Sequence, residues 1–243
     1  MGQMKLGKSK VLVVGAGGLG CPVLTYLAAT GIGQLGIVDF DTVCLSNLNR
    51  QTLYTPEDVD KPKALVAQER IQALNPEITV VAHNQQLNLS LAMNLFPSYD
   101  VIVDGTDNFA SRAIISQVAY ALGIPVVYAA IYKHEGQITV FNYQNGPTYS
   151  CLFPSEPAEA QMPNCASAGV LGTFTGIIGT LQAQETVKVL LELDHVLSGK
   201  VLYFHGLTLE STLIQYPTNP NKPSAAHALA QIQHELLSYG NKA

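Results

Sequence analysis

Three stretches of this sequence have the residue types and spacing to do chemistry on a phosphorylated ligand. The first is "VLVVGAGGLG", residues 11–20, in which Gly15-x-Gly17-x-x-Gly20 directly follows an apolar run. A glycine turn between a strand and a helix presents backbone N–H groups and the positive helix end to phosphate, and a side chain there would block close approach. Asp39 stands 19 residues beyond Gly20, at the end of the next apolar run, where a carboxylate accepts hydrogen bonds from ribose hydroxyls. These features describe a nucleotide site without saying which nucleotide.

The second stretch separates NAD from ATP. In "DFDTVCLSNLNRQTLYTPEDVDKPKA", Asn47, Arg50 and Lys63 follow the ribose carboxylate closely. A dehydrogenase has no triphosphate to neutralise, whereas nucleotidyl transfer needs fixed cations to stabilise charge on departing pyrophosphate, and Arg50 and Lys63 suit that task. Asp41 is open between a cap and a second ligand. The third stretch, "VDGTDN", sets Asp104 and Asp107 at the carboxyl end of a strand, the edge where open α/β sheets bind ligands. A carboxylate there can hold Mg²⁺ against phosphates. Asp107 ranks above Asp104, which reads as a strand-end residue.

The elements that must position these residues follow from periodicity. "KVLVV" enters the glycine turn as a strand, and "LGCPVLTYLAATGIG" has helical spacing and stops at Gly31 and Gly33. "QLGIVDFD" reads as a second buried strand, Pro62 to Leu74 as a helix, Ile78–Asn84 and Tyr99–Asn108 as strands, Phe109 to Leu122 as a helix, and "PVVYAAI" as another strand. This alternation predicts an α/β fold, a Rossmann-like, mostly parallel sheet with helices on both faces. "EGQITVFNYQNGPTY" alternates and ends at the turn signal Asn145-Gly146, which predicts an antiparallel extension. Pro154 to Pro163 has too little apolar content to pack, and a mobile crossover loop is expected near 154–168. Gly169 to Leu193 is apolar on most sides, with Gly172, Gly176 and Gly179 permitting close approach, and reads as a buried helix or a subunit contact. "KVLYFHGL" and "STLIQY" read as a closing strand pair, and Ala225 to Tyr239 as a helix with Leu229, Ile232 and Leu236 on one face. With no repeat and no linker, residues 1–243 are expected to form a single domain.

Composition narrows the function classes. The net charge is −5 with arginine only at positions 50, 70 and 112, so nothing neutralises a nucleic-acid backbone. No segment offers 18 uninterrupted apolar residues and the amino terminus lacks a secretory stretch; a cytoplasmic protein without membrane contact is expected. A 47% hydrophobic content against 13% charged residues suggests apolar surface reserved for a partner, and a homodimer is the expected form. Cys21, Cys44, Cys151 and Cys165 contain no C-x-x-C pair and read as free thiols. No H-E-x-x-H or G-x-S-x-G spacing supports a metalloprotease or a serine hydrolase.

The motifs "GAGGLG", "DFDTV", "SNLNRQ", "KPKA" and "DGTDN", in that order, resemble the adenylation domain of the ThiF/MoeB/HesA family, relatives of the ubiquitin-activating enzymes. "EGQITVF", "CLFP", "CASAGVLG" and "GTLQAQETVKVLL" extend the resemblance over nearly residues 2–217. It implies an adenylyltransferase that activates the C-terminal glycine of a small ubiquitin-like sulfur carrier protein ending in Gly-Gly, using ATP and Mg²⁺ and releasing pyrophosphate, in thiamine or molybdenum-cofactor biosynthesis. By resemblance Gly15, Gly17, Gly18 and Gly20 pack around the nucleotide and Asp39 binds ribose. Asn47, Arg50 and Lys63 hold phosphates, Asp41 and Asn108 complete the nucleotide site, and Asp107 is the magnesium and catalytic carboxylate. A glycine carboxylate is ionised at neutral pH, so no base is needed and catalysis is positioning plus charge stabilisation. Cys165 stands where ThiF-type members carry a cysteine able to link to the carrier; a loop thiol without covalent role is the other reading.

The sequence also departs from the family pattern. Many members bind structural zinc through two C-x-x-C pairs, but here Thr148 replaces the first cysteine, "YPTNPNKP" contains none, and Cys151 alone remains; no zinc is expected. The "RYSRQ"-like segment, whose arginine reaches the phosphates of the neighbouring subunit, would precede "GQMKLGKSKV", and no rhodanese-like domain follows, so a separate sulfur donor protein is expected. His205 stands where relatives commonly have aspartate. The alternatives are a non-catalytic ATP-binding member lacking the arginine segment and an NAD-dependent oxidoreductase, the latter disfavoured by Arg50, Lys63 and the lack of a placed acid/base pair.

Overall fold

The computed structural model describes residues 1–154 and 169–240. Cys165 and the crossover loop expected near 154–168, beyond Pro154 itself, lie outside the described residues. One sheet runs through the molecule. Its strands in chain order are β1 (Lys10–Val14), β2 (Gln34–Val38), β3 (Thr79–His83), β4 (Val101–Asp104), β5 (Val126–Tyr132), β6 (Glu135–Phe141), β7 (Lys200–His205) and β8 (Ser211–Gln215). They lie in the order β3-β2-β1-β4-β5-β6-β7-β8. β1 to β5 pair in parallel and β6, β7 and β8 add on antiparallel, as alternation and the "EGQITVF" stretch predict. The Asn145-Gly146 signal does not join paired strands. β6 ends at Phe141, and Asn142, Gln144 and Asn145 turn through left-handed backbone into a short helix.

Among the described residues the α-helices are α1 (Gly2–Leu6), α2 (Gly20–Thr30), α3 (Lys63–Leu74), α4 (Leu89–Leu95), α5 (Phe109–Leu122), α6 (Tyr149–Leu152), α7 (Gly172–Leu191) and α8 (Ala225–Gly240). Among the described residues no helix is long and apolar enough to cross a membrane. β1 shows how the layers arise: Val11 and Val13 point into a core shared with α2, α3 and α7, while Leu12 and Val14 point into one shared with α4, α5 and α8. Both faces are covered, so the strand is apolar throughout. A third cluster, Leu19, Ala129, Ile138, Phe174 and Ile178, seats α7 on the β5–β6 side.

The chain runs β1, β2, β3 outward and returns to β4 on the other side of β1. This reversal opens a crevice at the carboxyl ends of β1 and β4, where open sheets bind ligands. The two loops there meet closely: Gly15 has φ +93, and a Cβ on it would stand 2.7 Å from the Gly105 carbonyl oxygen.

Candidate active site

The crevice is a cleft of about 1070 Å³ counted to its open mouth, a volume that suits a nucleotide. Its floor is built by backbone. The Gly15 N–H donates to the Val38 carbonyl at 2.8 Å and the Gly105 N–H to the Val14 carbonyl at 2.8 Å, fixing both loops to the strand ends. The Ala16 peptide is gripped on both sides, its N–H donating to Asp39 Oδ2 at 2.7 Å and its carbonyl accepting from the buried Tyr54 hydroxyl at 2.7 Å. Gly17 and Gly18 line the cleft. Gly20 does not: it lies behind the turn, where a Cβ would come within 1.9 Å of the Gly15 carbonyl oxygen, so its task is to let α2 close on the loop.

Asp39 comes just past β2, not within it as "QLGIVDFD" suggests. Its second oxygen accepts the Asp41 N–H at 2.9 Å. Burial pushes the Asp39 carboxyl above its usual range, against the Ala16 N–H and the Lys63 charge, which lower it. Asp41 is not a cap. Its carboxylate pairs with Lys63 Nζ at 2.9 Å and its carbonyl accepts the Lys63 N–H at 2.9 Å. Lys63 opens α3 just after Pro62, and its side chain is 6% exposed against 52% for Asp41. The cation is thus held at the cleft wall by a partner that water or an anion can replace.

Arg50 also lines the cleft, donating to the Ser46 carbonyl at 3.2 Å and Asn49 Oδ1 at 3.1 Å. Asn47 does not line it. Its carbonyl accepts the N–H groups of Arg50 and Gln51, so it shapes the turn that presents Arg50. On the opposite wall Asp107 is exposed, and Asn108 caps α5 by accepting the Ser111 N–H at 2.9 Å.

Asp104 is a positioning residue. It is 2% exposed, and its Oδ1 accepts the Thr106 N–H at 3.0 Å and hydroxyl at 2.6 Å. Burial raises its carboxyl above the usual range, and Arg112, with Nε 3.9 Å from Oδ2, opposes that rise. Arg112 donates to the Thr106 carbonyl at 2.8 Å and lies over the Phe109 and Tyr128 rings. The buried pair therefore ties down the turn that carries Asp107. Sequence reasoning missed Arg112, Thr106 and Gln51 in the cleft wall, and its apolar lining Val38, Phe40, Leu87, Ile131 and Val170. Arg112 lies four residues past the Asn108 cap and Gln51 follows Arg50, but only packing turns them inward.

The zinc pattern of the resemblance can be tested at Cys151. Its Sγ accepts N–H groups of Thr148 at 3.3 Å and Asn219 at 3.2 Å and lies 3.3 Å from the Thr148 hydroxyl. Burial raises this thiol, but the Asn219 and Thr148 donors outweigh it and hold it below the ordinary value. Among the described residues, one thiol, one hydroxyl and two backbone amides do not make a zinc tetrad. Magnesium differs: it needs one or two carboxylates plus nucleotide phosphates, and Asp107 at the rim fits that donor set.

The family model described as ThiF family matches residues 1–225. The chain is 44% identical over 243 residues to the sulfur carrier protein adenylyltransferase of Thermus thermophilus, covering 98% of this chain and 89% of that one. It is 42% identical over 222 residues to the SAMP-activating enzyme E1 of Haloferax volcanii, covering 91% and 82%. It is 45% identical over 225 residues to the adenylyltransferase and sulfurtransferase MOCS3 of Anopheles gambiae, covering 93% of this chain but 51%, about half, of that relative's length. Among solved structures, E. coli MccB with ATP superposes with a TM-score of 0.81 at 20% identity over 92% of this chain and 68% of that one, a likeness of fold.

Proposed function

The chain belongs to the ThiF family, and we propose that it adenylates the C-terminal glycine carboxylate of a small ubiquitin-like sulfur carrier protein, with ATP as donor and pyrophosphate as leaving group. The observation that carries this reading is the gathering of Gly17, Gly18, Asp39, Arg50, Lys63 and Asp107 around one cleft at the sheet's switch point. In it, the glycine-loop amides and the α2 amino end receive phosphate, Asp39 receives ribose hydroxyls, and Arg50 and Lys63 neutralise charge accumulating on departing pyrophosphate. Phosphate displaces Asp41 from Lys63. Asp107 would hold Mg²⁺ beside the nucleotide phosphates, where the ion would supply further charge neutralisation. The glycine carboxylate, already ionised, needs only to be placed in line with the α-phosphorus. The likeness to a sulfur carrier protein adenylyltransferase supports the same reaction. We assign adenylation alone to this site, with sulfur from a separate donor protein and a homodimer as the working assembly.

ATP–pyrophosphate exchange with the purified protein tests the reading. Carriers of the thiamine and molybdenum-cofactor pathways, each ending in Gly-Gly, are supplied in turn, with Asp107→Ala as control. Exchange that depends on one carrier and is lost in the variant supports the function and identifies the pathway. Binding of ATP without exchange on any carrier supports a non-catalytic nucleotide-binding role instead.

A further inference from the structure

Gln51 is a polar side chain in the cleft wall that has no side-chain hydrogen-bond partner among the described residues. The residue is 4% exposed, and its Oε1 is buried with no hydrogen-bond partner among the described residues. No described residue accepts from its Nε2. Its backbone is engaged, the N–H donating to the Asn47 carbonyl at 3.0 Å and the carbonyl accepting from the Tyr54 N–H at 3.2 Å, so the turn forms without help from the amide. Burying the amide oxygen with nothing in exchange for its water lowers stability, and a native fold that keeps an amide here, where an apolar side chain would be more stable, calls for a functional explanation.

Its surroundings indicate what binds there. Nε2 lies 3.5 Å from where a Cβ on Gly17 would stand, so the amide abuts the glycine turn. The same wall of the cleft carries Arg50 and Lys63. A ligand between an amide-lined turn and two cations is anionic and rich in acceptors. The ribose carboxylate, Asp39, by contrast already takes two backbone N–H groups and stands at the end of β2.

We propose that Gln51 is a further phosphate-binding residue, its amide N–H donating to a phosphate oxygen of bound ATP between the glycine turn and the Arg50 and Lys63 charges. This rests on the reading of the cleft as an ATP site. A neutral donor set in a water-poor wall adds no charge that must be desolvated, and its bond strengthens as negative charge accumulates on the oxygen it holds. The phosphate takes Nε2 alone and Oε1 stays unpartnered, so the buried oxygen is stability given up to hold the donor at the cleft.

The test is a titration of ATP and of adenosine, read by competition against a fluorescent ATP analogue, on the wild type, Gln51→Met and Gln51→Glu, with a thermal melt of each. Methionine keeps the length and removes both polar atoms. ATP affinity of Gln51→Met is expected to fall about tenfold or more, adenosine affinity to stay within about twofold, and Tm to hold or rise. Gln51→Glu sets a negative charge against the phosphates, so its ATP affinity falls further and more steeply at low salt. A Gln51→Met protein that binds ATP as well as the wild type overturns the assignment, as does equal loss of ATP and adenosine affinity with a lowered Tm. Should Gln51→Met not fold, Gln51→Glu decides alone, unchanged ATP binding overturning the assignment. A wild type that does not bind ATP overturns the reading of the cleft and Gln51 with it. A wild type that binds ATP but shows no carrier-dependent exchange overturns the adenylation reading only.

Discussion

Lys63 and Asp58 show how differently two buried charges are used. Lys63 is paired with a half-exposed carboxylate, so its charge can be handed to a phosphate at small cost. Lys63→Met keeps the buried stem and removes the charge. The expected result is a fall in kcat/KM for ATP in the exchange assay of about a hundredfold or more, with Tm nearly unchanged because Asp41 is free to rehydrate. Asp58 serves the fold. Burial would raise its carboxyl, but the Thr55 N–H at 3.0 Å, Arg70 at 3.0 Å, the Thr55 hydroxyl at 2.9 Å and Lys61 at 3.1 Å hold it well below the usual carboxylate range. A depressed folded pKa stabilises fully above the unfolded value of about 3.9 and is lost as pH falls below it. Urea unfolding should therefore show Asp58→Asn less stable than the wild type at neutral pH, with the gap closing on acidification below about pH 4. A gap that persists in acid would assign the effect to packing.

At the scale of elements, the cleft exists because loops pack backbone against backbone. α2 closes on the glycine turn only because Gly20 has no Cβ, which would stand 1.9 Å from the Gly15 carbonyl oxygen. Gly20→Ala must move the helix or the turn. Denaturant unfolding should show a loss of about 2 kcal/mol or more, and nucleotide binding should weaken with it. The elements that sequence reasoning placed well carry local stop signals. α5 runs from the Asn108 cap to Gly123 in left-handed conformation, and α2 ends at Gly31 with φ +80. α4 was missed although Asn88 caps it, because its short run "LSLAMNL" has no clear period. The ends of β2 and β4 fall earlier than expected, since pairing with β3 and β5 stops at Val38 and Asp104.

Across the whole molecule, apolar packing and hydrogen bonds hold the last helix and the segment before it. Ala228 and Ile232 of α8 enter the core shared with α4 and α5, and the segment before it is fixed by the Asn219 N–H on Cys151, by Lys222 donating to the Gly146 carbonyl at 3.2 Å, and by the Tyr120 hydroxyl on the Pro223 carbonyl. Ile232→Ala is expected to cost about 2–4 kcal/mol in denaturant unfolding. A zinc chelator should leave Tm unchanged, and elemental analysis of the purified protein should find no stoichiometric zinc. A chelator-dependent fall in Tm would show that the tail relies on a metal after all.

The sequence by itself determined the strand–turn–helix periods, the order of parallel and antiparallel strands, and the residue types suited to phosphate, because periodicity, glycine conformation and charge are local properties. Tertiary structure decided which of those residues share a space. It brought Gly17, Gly18, Asp39, Asp41, Arg50, Lys63, Asp107 and Asn108 to one cleft, and it left Gly20 and Asn47 behind the wall. It also buried Asp104 against Arg112 and turned Gln51 inward. Burial and hydrogen-bond partnership depend on residues far away in the chain, such as Gln182, which donates to the Asp104 carbonyl at 2.7 Å and to the Val127 carbonyl at 3.0 Å. Spacing along one chain cannot encode such contacts locally, because they arise where crossing elements exclude water together.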